Sequence, residues 1–68
     1  MTPRKYHTLI VWDTDQQCWM DEFGDYRKAD VVAERQGHSA KGKHKLVISH
    51  DDTAAAMMQA RDATPAPK

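Results

Sequence analysis

The sequence predicts an α+β fold: a three-stranded antiparallel sheet in the order 2-1-3, built as β-β-α-β-α with two helices on one face. Three observations carry this. Two runs rich in β-branched and aromatic residues flank the turn-forming Asp13-Thr14-Asp15-Gln16. Two stretches of helical spacing follow Gly24-Asp25 and Asp51-Asp52. The most continuously apolar segment, Leu9-Ile10-Val11-Trp12, belongs to the first run, which suits a central strand.

Tyr6 to Trp12 and Gln17 to Phe23 are read as the strands of a hairpin. Asp25 can accept from the free amides of a helix that runs from about Tyr26 to Gln36, with Ala29, Val32, Ala33 and Gln36 at helical spacing. Gly37 to Lys43 is a polar, basic loop, and Lys45 to Ser49 a third strand. Asp51 or Asp52 caps a last helix on which Ala54, Met57, Met58 and Arg61 share a face. Residues 1–63 form one small domain and 64–68, Thr64-Pro65-Ala66-Pro67-Lys68, a frayed, disordered tail. The second and third strands are parallel across a helical crossover, which lets the third lie beside the first.

Pairing Trp12 with Gln17, Ile10 with Trp19, Thr8 with Asp21 and Tyr6 with Phe23 gathers every strand aromatic on one face. Small helical residues leave room for large rings, so this face is placed inside, with Trp12 and Trp19 both largely buried. The other face then shows Leu9, Val11, Met20 and Val47 to water. An uncovered apolar strip of that kind marks a contact surface, and a homodimer through it is expected, with backbone pairing along the outer edge of the third strand as the alternative. Should a helix cover the strip instead, Tyr6, Trp12, Trp19 and Phe23 become the candidate contact set.

Sixty-eight residues leave room for one core. Lys+Arg 10 against Asp+Glu 10 gives net zero, so the overall charge calls for neither nucleic acid nor an anionic membrane. Cys18 is the single cysteine and cannot form an internal disulfide, whereas small secreted domains usually depend on several. With the first apolar run too short for a signal-peptide core, a cytoplasmic location is expected. A core this small rarely supplies more than about 3–5 kcal/mol, which favours association with a partner.

Each candidate chemistry meets a simpler reading. Gly37 to His44 nearly matches the phosphate-binding loop G-x-x-x-x-G-K-[ST]. It leaves a helix for a strand, however, and His44 stands where the magnesium-binding hydroxyl belongs. Arg35, Lys41, Lys43 and Lys45, with His38 and His44, make a local basic cluster that could grip phosphates. Opposing it, Asp13, Asp15, Asp21, Glu22 and Asp25 crowd the hairpin. The histidines His7, His38, His44 and His50 lack metal-ligand spacing. Asp13-Thr14-Asp15 opens like a calcium loop, but Gln17 and Cys18 replace the next ligand and the glycine. His50 beside Asp51 and Asp52 suits helix capping better than a catalytic pair. Cys18 has no recognisable base, and Met57-Met58 suits core or contact surface better than metal.

No cofactor or metal is expected, and the reading is a small non-enzymatic protein-binding module, a regulator or inhibitor of a larger assembly. The alternative is a nucleic-acid-binding module that uses the basic 35–45 segment. In size, lack of catalytic motifs and sheet-helix layout, the chain resembles in general character the small accessory proteins carried by phages and other mobile elements.

Overall fold

A computed structural model describes residues 4–37 and 44–67. The elements are β1 (Lys5–Asp13), β2 (Cys18–Asp25), α1 (Lys28–Gly37), β3 (Lys45–Asp51) and α2 (Ala54–Ala63). The sheet is antiparallel throughout in the order β2-β1-β3, the arrangement the sequence predicts.

The hairpin closes on four residues. Asp13 Oδ1 accepts the amides of Asp15 (2.8 Å) and Gln16 (3.1 Å), and the Gln17 N–H donates to the Asp13 carbonyl at 2.8 Å. Closure places Gln17 at φ 58°, a left-handed conformation unusual for a residue with a side chain. Asp13 therefore faces Cys18, and Trp12 faces Trp19 instead of Gln17. The displacement is two residues, so Ile10, Trp12 and Trp19 still share a face.

A bulge then changes the parity. Ile10 faces Asp21 but Leu9 faces Phe23, leaving Glu22 as the extra residue. Phe23 is thereby turned away from the other strand aromatics, a correction to the single aromatic face expected. One face carries Tyr6, Thr8, Ile10, Trp12, Trp19, Ile48 and His50, and the other carries Leu9, Val11, Met20, Phe23 and Val47.

The helices take opposite faces, which corrects the expectation that both cover one. Val31 of α1 packs with Leu9 and Val11, flanked by Phe23 and Val47. On the far side, Arg61 of α2 binds Asp21 at 2.9 Å, and Trp19 Nε1–H donates at 3.3 Å to the Pro65 carbonyl just beyond α2. The cause lies in β1, whose Leu9-Ile10-Val11 run is apolar on both sides. Leu9 and Ile10 are both 0% exposed and Val11 3%. Covering a side chain of this kind contributes about 1.5–3 kcal/mol, so neither face is left bare cheaply.

Details of the helices differ too. In α1 the buried residue is Val31, with Val32 half-buried and Ala29, Ala33 and Gln36 exposed. Asp25 Oδ1 does accept a leading amide, that of Arg27, at 2.8 Å. Thr53, not Asp51 or Asp52, caps α2, its Oγ1 accepting from the Ala56 N–H at 3.1 Å. At the other end Thr64 donates its hydroxyl to the Ala60 carbonyl at 2.9 Å. Trp19 is 6% exposed, whereas Trp12 is only half-buried, its ring meeting that of Trp19 edge-on at 5.3 Å.

Candidate functional site

A cleft of about 410 Å³ opens between the start of α2, the end of β3 and the β1–β2 pair. Tyr6 forms its floor. This ring lies so close over Gly24 that an added Cβ would meet its Cε2 at 2.5 Å, so the missing side chain of Gly24 is what admits it. Tyr26, just past β2, meets Tyr6 edge-on with centroids 4.8 Å apart and planes at 88°, a favoured aromatic geometry. Its hydroxyl donates to Asp52 Oδ2 at 3.1 Å. The Arg4 guanidinium sits 4.2 Å from the centre of the Tyr26 ring. His50 closes the inner wall beside Tyr6, ring centres 5.9 Å apart, with Thr8 Oγ1 at 2.7 Å from its Nε2.

The lining is acidic. Among the described residues Asp21, Glu22 and Asp52 contribute carboxylates and no lysine or arginine lines the cleft, with Arg4 and Arg61 beside it. Arg61 engages Asp21 at 2.9 Å. The hydrogen bond to Asp52, assisted by burial and by that carboxylate's charge, raises the Tyr26 phenol above its ordinary value of 10.0. Thr53 and Ala54 bring the N-terminus of α2 to the rim, worth about half a positive charge. With Asp21 answered by Arg61, Glu22 and Asp52 still outweigh that half charge, so the cleft suits a cation.

Neither His50 nor Cys18 is set up here as a base or a nucleophile. Both ring nitrogens of His50 are occupied, Nε2 by Thr8 and Nδ1 by the Asp51 carbonyl at 2.8 Å. Cys18 lies at the hairpin end, where its thiol points at Met20 Sδ across 3.7 Å, and no base is hydrogen-bonded to it. Among the described residues no cluster of three His, Cys, Asp or Glu side chains could hold a metal ion, and no helix is long and apolar enough to cross a membrane.

The expected contact strip does not exist as a surface. Leu9 and Val11 are sealed beneath α1 and Val47 packs against them, while Met20 alone stands at 38% exposure. Of the basic set, Arg35 and Lys45 are half-buried, and Lys41 and Lys43 lie outside the described residues. Sequence reasoning assigned Tyr6 to the core and Tyr26 to a helix start, so it missed the cleft. The available signal was Gly24, read only as the end of a strand. No protein-family model matches the chain, nor does any curated protein or solved structure.

Proposed function

We propose that the chain is a small non-enzymatic protein-binding module that grips a basic side chain of its partner in the Tyr6–Tyr26 cleft. The observation that carries this reading is the pairing of two tyrosine rings with the carboxylates of Asp21, Glu22 and Asp52 in one concavity. Aromatic faces attract cations by their quadrupole, and carboxylates bind guanidinium through short charge-assisted hydrogen bonds. Arg4 over Tyr26 is an example of that attraction from within the chain. Occupying a partner's arginine or lysine would mask that surface, which is how a regulator or inhibitor of a larger assembly works. A phosphate backbone meets like charge here, so this reading is preferred to nucleic-acid binding.

The test is an NMR titration of the full chain with three probes: an arginine-rich peptide, a glutamate-rich peptide and a mixed-sequence DNA oligonucleotide. The arginine peptide should shift the amides of Tyr6, Gly24, Tyr26 and Thr53, and Glu22→Lys should abolish the effect while leaving the spectrum folded. Binding of DNA with the arginine peptide inert would overturn the proposal, as would shifts confined to other regions.

A further inference from the structure

We infer that the chain pairs with a second copy of itself through the outer edge of β3, giving a continuous six-stranded sheet. Among the described residues neither outer edge of the sheet is paired, and the two edges are unlike. On β2 the bulge at Glu22 breaks the ladder and Asp21 and Glu22 supply charge, both devices that discourage a further strand. β3 pairs with β1 without irregularity from Lys5↔Asp51 to Val11↔Lys45. Its Leu46-Val47-Ile48 run has neither proline nor bulge.

The hydrogen-bond phase of β3 fixes what its edge offers. The Trp12 N–H donates to the His44 carbonyl at 2.9 Å, so the even-numbered residues of β3 turn their amides and carbonyls toward β1. Odd-numbered residues turn theirs outward. The Asp51 carbonyl is already met by the Thr53 amide and the His50 ring. Among the described residues nothing meets the outward backbone groups of Val47 and Ser49.

An antiparallel copy must set outward residues against outward residues. Placing the twofold axis at Ile48 does this for the whole strand: Val47 faces Ser49 of the copy, and Ile48 faces its own counterpart. The same register sets Lys45 against Asp51 at both ends, so opposite charges meet twice, beside the Lys5 ammonium that already lies 3.4 Å from the Asp51 carboxylate of its own chain. Moving the axis by one residue either way keeps the backbone phase but loses that match and shortens the ladder. Leu46, 41% exposed and on the α2 face, would come to lie opposite His50 of the copy. The axis stands perpendicular to the sheet and closes the assembly at two. It also leaves both Tyr6–Tyr26 clefts on one side.

Sedimentation velocity of the full chain over a range of concentrations tests this. The wild type should dimerise by high micromolar concentration. Ser49→Pro removes an outward N–H that the chain's own sheet does not use, at an exposed site where an edge strand tolerates proline, so it should sediment as a folded monomer. Lys45→Glu should weaken the dimer about tenfold, because two symmetry-related pairs invert. Lys45→Glu combined with Asp51→Lys should recover it, a rescue that a folding defect would not give, and this pair decides if Ser49→Pro fails to fold. A wild type that stays monomeric at high micromolar concentration overturns the inference. So does a folded Ser49→Pro that still dimerises, or a charge swap without rescue.

Discussion

Thr8 Oγ1 lies 2.7 Å from Nε2 of His50, and both residues are buried on the face that α2 covers. The Asp51 carbonyl can only accept, so Nδ1 of His50 carries hydrogen, and Thr8 Oγ1 is the partner of Nε2. Replacing Thr8 by Val leaves that nitrogen without a partner in a site closed to water. Thr8→Val should cost about 1–3 kcal/mol in urea unfolding, whereas Thr8→Val with His50→Leu should cost less than the two single changes added together. Strict additivity would mean that the bond contributes nothing.

Tyr26 makes the fold sensitive to alkaline pH. Its phenol is raised above 10.0, chiefly by donation to Asp52, so the folded state keeps this proton at a pH where the unfolded chain has lost it. The stabilisation is whole below the ordinary value and disappears as pH rises through the raised one. Asp52→Asn should bring the phenolate absorbance of Tyr26 back toward the ordinary midpoint, as measured against a Tyr26→Phe reference. An unmoved midpoint would remove the hydrogen bond from the account.

Gly24 tests the floor of the cleft. Gly24→Ala pushes a methyl group into the Tyr6 ring, which is hemmed in by Tyr26 and His50. The expected loss is about 1–3 kcal/mol of stability, with weaker arginine-peptide binding. Tyr6→Ala should make Gly24→Ala nearly harmless, because the clash then has no partner. A single mutant as stable as wild type would show that the ring moves aside freely.

Val11 distinguishes a covered sheet face from a bare one. At 3% exposure beneath α1, Val11→Lys buries an ammonium without a partner and should unfold the domain, whose core supplies only about 3–5 kcal/mol. Met20→Lys, on the same face but at 38% exposure, should stay folded. Circular dichroism of the two variants gives the answer, and a folded Val11→Lys would contradict the packing of α1.

Strand order and direction were legible because they follow from the order of apolar runs, turns and helical spacings, each a local signal. The sidedness was not, because it depends on a count. The run Leu9-Ile10-Val11 announces a strand buried on both faces, but allotting both helices to the rings left one of those faces without a cover. Phe23 was misplaced because a bulge leaves no mark in single-sequence periodicity: Glu22 reads as an ordinary alternating residue. The cleft was hidden for a related reason, since Tyr6 and Tyr26 meet only across a glycine whose close approach is a tertiary event.

The position of β1 in the chain has a kinetic consequence. It precedes the other four described elements, and the segments that cover its β3 edge and both its faces lie further along the chain, with β3 joined to it across the span Lys5↔Asp51. Ordering so distant a pair costs loop entropy before any contact rewards it, which slows folding relative to a helical bundle of equal length. During synthesis the apolar strand must wait, exposed, until α2 has left the ribosome. Chains that stop short of Thr53 are therefore expected to stay unstructured and sticky, detectable as amide signals collapsed into the random-coil range, and the whole domain to form in a single late step.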